Sequence, residues 1–163
     1  KSGGDRSLNS FQKKSLEKSQ IKEFRRRYGF KLSKKKSELV LAKNSNGEIM
    51  GCTGLEVDLI SNPNNKSDGF QAPLMSNVAV GRNFRRRGVA EELVKKAEEV
   101  ASEWGYNELY LLVEKRNNPA VKLYNKAGYR RIWEDAQATT LVPSQGDVVT
   151  ENTVILCMRK KLG

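Results

Sequence analysis

One long stretch of the chain repeats apolar residues at spacings of three and four, and shorter stretches carry compact apolar runs. Ala90, Leu93, Val94, Ala97, Val100, Ala101 and Trp104 fall on one face, which predicts an amphipathic helix over 88–104. Glu91 and Glu92 stand in its first turn, where the helix dipole favours acids. Lys95 and Lys96 follow them at i+4, and Gly105 supplies the stop. Apolar runs at 74–80 and 108–113 flank this helix and predict buried strands. Joined by the helix, they make a βαβ unit with parallel strands and a right-handed crossover.

Upstream, runs at 39–42 and 48–60 lie on either side of Asn44-Ser45-Asn46-Gly47 and read as a hairpin, followed by a polar loop over 61–72. Downstream, Asn118 and Pro119 open a second helix, with Ala120, Val121, Leu123, Tyr124 and Ala127 apolar and Gly128 at its end. A strand at 129–133, a polar loop at 135–146 and a last strand at 148–159 complete the chain. Before the first hairpin, Phe11, Leu16, Ile21, Phe24 and Tyr28 predict a charged helix over 11–28, after a polar start at 1–10 that reads as disordered. The order is helix, hairpin, βαβ, helix, hairpin. It predicts an α/β fold with one mixed sheet and helices on its faces.

A chain of 163 residues with 37% hydrophobic and 30% charged side chains suits one domain with a real core. Charge divides it: residues 1–38 hold 13 basic and 4 acidic side chains, and 39–163 hold 17 and 15. The expected organisation is a basic arm and helix over 1–37, then a single domain over 38–163. Such an arm suits an acidic partner such as a ribosome, or is simply a solvated face. No apolar run of membrane-spanning length occurs, and a monomer is expected. Beginning at Lys1 rather than Met, the chain reads as a processed form from which a targeting peptide would be gone. With no histidine, Ser–His and Cys–His pairs and His-containing zinc sites are excluded, and no metal is expected. Cys52 and Cys157 lie in apolar runs and read as buried free thiols.

The chemistry gathers where the first strand of the βαβ unit meets its helix. The loop Gly81-Arg82-Asn83-Phe84-Arg85-Arg86-Arg87 runs into Gly88 and the helix start. Free backbone N–H groups ringed by arginines make an anion site suited to phosphate, and Gly88 lets a ligand approach closely. An ordinary basic loop before a surface helix would look the same.

Two motifs in order lift that ambiguity. Arg85-x-x-Gly88-x-Ala90 resembles the pyrophosphate loop of the GNAT superfamily of N-acetyltransferases. Asn117-x-x-Ala120-x-x-Leu123-Tyr124-x-x-x-Gly128-Tyr129 begins 27 residues after Ala90 and resembles the second motif of that superfamily. The resemblance covers 38–160 in outline and is specific over 74–133. The stretch from Leu74 to Val94 is also similar to plant plastid members that acetylate protein N-termini and lysines. One departure is that the family usually opens with a strand, and none is evident in 1–37.

The resemblance implies acetyl-CoA as cosubstrate, a protein or peptide amine as acceptor, and a plastid setting. It implies that Arg85, Arg86, Arg87, Gly88, Val89, Ala90 and Glu91 hold the pyrophosphate, Glu91 through its backbone alone. It implies a splayed strand at Val78, Ala79 and Val80, whose backbone pairs with the pantetheine arm and aims one N–H at the thioester oxygen. Asn117, Asn118 and Pro119 would flank the same arm. Tyr124 would protonate the departing thiolate, since a phenol is protonated at neutral pH. With no histidine the base falls to a carboxylate, with Glu56 and Glu114 as candidates. Two other readings stay open: a GNAT enzyme for a small amine or antibiotic, and a non-catalytic basic RNA-binding or ribosome-binding module.

Overall fold

The computed structural model describes residues 36–65, 68–76 and 78–163. The basic arm and the helix predicted over 11–28 lie outside the described residues, and of the segment 1–37 only Lys36 and Ser37 are described.

Strands β1 (Ser37–Lys43) and β2 (Ile49–Ile60) form the predicted hairpin. The Asn44 side-chain oxygen closes the turn, accepting from the amides of Asn46 at 3.0 Å and Glu48 at 2.9 Å. Strand β3 (Phe70–Met75) runs back along β2, and the short β4 (Ala79–Val80) pairs with β2 further on. Helix α1 (Val89–Glu103), strand β5 (Glu108–Glu114), helix α2 (Asn118–Lys126) and strand β6 (Arg130–Asp135) follow. A separate hairpin, β7 (Thr139–Ser144) with β8 (Asp147–Asn152), precedes the last strand, β9 (Ile155–Lys161). The main sheet has the order β1-β2-β3-β5-β9-β6, with β4 on β2. β3 and β5 are parallel, as the βαβ reading requires, and the other pairs are antiparallel.

Both helices end the same way. After α1, the Gly105 amide bonds to Ser102 O and the Tyr106 amide to Ala101 O. After α2, the Gly128 amide bonds to Asn125 O and the Tyr129 amide to Tyr124 O. This pairing is the Schellman closure, which satisfies the last free carbonyls. It also sets the residue two past the cap against the last helical turn. Here that contact is Tyr129 on Tyr124, edge to face at 6.0 Å.

The apolar stripe of α1 is buried as its spacing predicts. Val94, Ala97, Val100 and Ala101 are 2% exposed or less and pack on Leu55, Met75, Leu109, Leu111 and Val113 of the sheet. Each larger side chain buried this way contributes about 1.5–3 kcal/mol. Tyr124 of α2 joins the same cluster. Side chains alternate along a strand, so Leu74 and Tyr110 turn to the other face. There they pack with Ile60, Ala72, Cys157 and Trp133. Burial pushes the Cys157 thiol up to about 12, so it is inert, and Cys52 is half-buried and also unbridged.

Three expectations are corrected. The run 74–80 is not one strand, because it breaks after Met75. The step from Met75 to Ala79 faces only Leu55 to Cys52 on β2, one residue fewer, which is a bulge. Ser76 fixes it: its hydroxyl accepts from the Gly54 amide at 2.7 Å, and its carbonyl accepts from Thr53 Oγ1 at 2.9 Å. Gly51 lets β4 close on β2, because a Cβ there would stand 2.6 Å from Ala79 O and 3.1 Å from Leu93 Cδ1. The loop expected over 61–72 is shorter, since β3 starts at Phe70.

The third correction is at the end of the chain. The polar loop expected over 135–146 contains β7, and the strand expected over 148–159 is two strands, β8 and β9, in different sheets. Gln145 and Gly146, at φ 40° and 92°, make the tight hairpin turn between β7 and β8.

Candidate active site

The bulge has a direct consequence for the sheet. Among the described residues, β3 pairs with β5 only through Leu74 and Met75, and β4 pairs with β2 alone. Beyond Met75 the sheet therefore opens between β4 and β5. On the helix side of this opening lies a cleft of about 830 Å³.

One wall of the cleft is the start of α1. Gly88 is its N-cap, in the left-handed region at φ 75°, and among the described residues no side chain caps the helix. The first amide to enter the helical ladder is that of Glu92, which donates to Gly88 O at 3.1 Å. The amides of Val89, Ala90 and Glu91 precede it and have no partner within the helix. Arg86, a non-glycine residue at φ 60°, lines the cleft with Arg85. A left-handed arginine costs about 1 kcal/mol or more, and such strain gathers at functional sites.

The facing wall is α2. Asn117 caps it, its side-chain oxygen accepting from the Ala120 amide at 3.3 Å. Its side-chain NH2 group is a donor on the same residue. Tyr124 is 1% exposed, yet its hydroxyl reaches the opening, where it accepts from the Val78 amide at 3.5 Å. Burial raises the Tyr124 pKa against the lowering effect of that amide, so the phenol holds its proton at neutral pH. The edge of Tyr129 fixes the ring.

The cleft thus gathers Val78, Ala79, Val80, Arg85, Arg86, Gly88, Val89, Ala90, Glu91, Asn117, Pro119 and Tyr124 from the residues singled out in the sequence. Arg87 and Asn118 are not in its lining; the Arg87 guanidinium sits over the Phe84 ring at 6.0 Å. Phe84, Lys122 and Lys126 line the cleft without having been singled out. The spacing of the two lysines, one helical turn apart on α2, was a readable signal.

The two carboxylate candidates lie elsewhere. Glu56 is the cross-strand neighbour of Leu74, and Glu114 follows Tyr110 at an even spacing on β5. Both therefore stand on the sheet face away from the helices. Glu114 accepts from Arg116 Nε at 2.7 Å and from Thr153 Oγ1 at 3.3 Å. Burial alone would raise its pKa, but bonds from Thr140, Arg116 and Thr153 hold it below the usual value of 4.5. Arg116 also reaches Glu151 at 3.1 Å, so the pair ties β8 to the end of β5.

A depressed carboxyl stabilises the fold above its unfolded pKa, and that stability is lost as pH falls through the folded value. Glu114→Gln is expected to lower Tm by roughly 2–4 °C at neutral pH, for a loss of about 1 kcal/mol. The gap should close as pH drops below 4.5. A gap constant from neutral to acid pH in thermal melts would contradict this role.

Comparison with known proteins decides the family. The model of the acetyltransferase (GNAT) family matches residues 6–129. The chain belongs to the GNAT acetyltransferase family. GCN5-related N-acetyltransferase 4, chloroplastic, of Arabidopsis thaliana is 47% identical over 58 residues, 36% of this chain and 20% of that protein. The matched segment thus spans about a fifth of that relative. Among solved structures, a GNAT family acetyltransferase from Elizabethkingia anophelis with acetyl-CoA bound aligns at TM-score 0.61. It has 21% identity and covers 89% of this chain and 83% of its own. The ribosomal-protein-alanine N-acetyltransferase of Brucella melitensis aligns at TM-score 0.57 with 20% identity, over 90% of this chain and 78% of its own. These two likenesses are of the GNAT fold.

Proposed function

We propose that this GNAT chain is an acetyl-CoA-dependent N-acetyltransferase of protein amines, α-amines at N-termini or lysine ε-amines, in the plastid. One observation carries the reading. The open amides of α1, the edge of β4 that no described strand pairs and the buried Tyr124 hydroxyl converge on one opening in the sheet. The donors suit a nucleotide thioester: N–H groups and arginines for its phosphates, and strand backbone for its amide-bearing arm.

Acetyl-CoA, when bound, supplies an acetyl group on a thioester. The amides of Val89, Ala90 and Glu91, with Arg85 and Arg86, hold its diphosphate. The backbone of Val78, Ala79 and Val80 orients its arm. The Val78 N–H now makes a bond at the outer limit of hydrogen-bonding distance, so little is lost when it turns to a developing oxyanion. One such donor is worth about 3 kcal/mol. Tyr124 gives its proton to the leaving sulfur.

The acceptor approaches from the other face of the sheet, where Glu56 takes the proton from the amine through water. Glu114 is a poor base, because its bonds hold its pKa below the usual value. A protein acceptor agrees with the likeness to plastid members in the sequence and with the named activity of the Brucella fold neighbour.

Mass spectrometry of peptides incubated with the protein and acetyl-CoA tests the reading. Acetylation is expected on peptides with a free N-terminus or a lysine. Turnover of small amines alone would favour the small-molecule reading, and no transfer to any amine would overturn the enzymatic one.

A further inference from the structure

The cleft carries more positive charge than a diphosphate needs. Arg85 and Arg86 stand beside the start of α1, and Lys122 and Lys126 stand on the facing helix α2. The two lysines are one turn apart, with Cβ atoms about 6 Å from each other. Among the described residues, neither ammonium group has a carboxylate partner. Like charges at this spacing destabilise a helix by a few tenths of a kcal/mol. Lys126 has an independent reason to be there, since it lies in the last turn, where the dipole favours a cation. Lys122 lies a turn earlier, and both line the cleft.

We propose that Lys122 and Lys126 form a second anion subsite, specific for a terminal phosphomonoester: the 3′-phosphate on the ribose of coenzyme A. The inference rests on reading the cleft as an acetyl-CoA site. Three arguments support it. The diphosphate already has its donors on the other wall. Each diphosphate phosphorus carries one negative charge, whereas a phosphomonoester carries nearly two at neutral pH and best offsets two adjacent ammonium groups. Finally, Lys122 and Lys126 lie on the outer side of α2 relative to buried Tyr124, away from the end of the cleft where the thioester must sit.

This makes the two lysines selectivity residues for the nucleotide end of the cosubstrate. They distinguish coenzyme A thioesters from those of 3′-dephospho-coenzyme A and take no part in the chemical step.

Calorimetric titration of acetyl-CoA and acetyl-3′-dephospho-CoA into the wild type and two double variants tests it. The wild type is expected to prefer acetyl-CoA by on the order of 10-fold, as befits charge-assisted bonds at a solvated rim. Lys122→Ala with Lys126→Ala should erase the preference by weakening acetyl-CoA alone. Lys122→Arg with Lys126→Arg should keep it. Rising salt should shrink the wild-type preference. A wild type that binds both thioesters equally would overturn the subsite, and so would an alanine variant that keeps the preference. Failure of the wild type to bind either thioester would instead sink the acetyl-CoA reading beneath it.

Discussion

Replacing Tyr124 by Phe is expected to lower kcat by on the order of 100-fold without changing acetyl-CoA affinity. The substitution removes only a hydroxyl. The ring keeps its place in the core and its edge contact with Tyr129, so the α2 wall survives. Among the described residues, the lost group has one bond, from the Val78 amide at 3.5 Å, and freeing that amide costs little. A proton that moves only in the transition state appears in kcat rather than in binding. Burial holds the phenol pKa above its ordinary value of 10, so activity should not fall through Tyr124 ionisation up to that pH. Steady-state kinetics beside a binding titration checks both halves. An unchanged kcat in a folded variant would reduce Tyr124 to a packing residue.

Gly88→Asp is the second large effect, at least about 10-fold weaker acetyl-CoA binding in a chain that still folds. Space is not the obstacle, since a Cβ on Gly88 would meet none of the described residues within 4 Å. The carboxylate matters instead, because it stands at the amides that must receive a diphosphate. Two like unit charges at 4 Å repel by about 4 kcal/mol at an effective dielectric of 20, well beyond tenfold. Backbone strain at φ 75° contributes too, and Gly88→Ala isolates it, since alanine adds the strain without the charge. Alanine should therefore weaken binding less than aspartate. Equal losses would place the effect in the backbone, and no loss in either variant would remove the diphosphate from the start of α1.

Much of this architecture was legible in the chain, for identifiable reasons. The stripe Leu93, Val94, Ala97, Val100, Ala101 has only one way to be buried, and Gly105 and Gly128 closed both helices where expected. The two motifs then placed the loop and Tyr124 on facing walls of one cleft. The break after Met75 was not legible. Its apolar run satisfies a continuous strand, and the bulge is imposed by β2 and the bonds of Ser76, which are long-range contacts. The hairpin of β7 and β8 is not legible, because Pro143 and the polar residues around it read as loop. Gln145-Gly146 between runs rich in Thr and Val was the signal to weigh.

Neither carboxylate's surroundings could be read in advance. Glu56 and Glu114 look alike in sequence. Only the fold shows that Glu114 is committed to Arg116 and Thr153, and so to holding β8 against the sheet.

The central claim is that one cleft binds acetyl-CoA with its diphosphate on the start of α1 and its thioester at the opening beside β4. Amide chemical-shift mapping by NMR during an acetyl-CoA titration tests it most directly. The account predicts saturable shifts that are largest at Gly88, Val89, Ala90 and Glu91, with a second group at Val78, Ala79 and Val80. Shifts centred elsewhere, or no saturable shift at all, would contradict it.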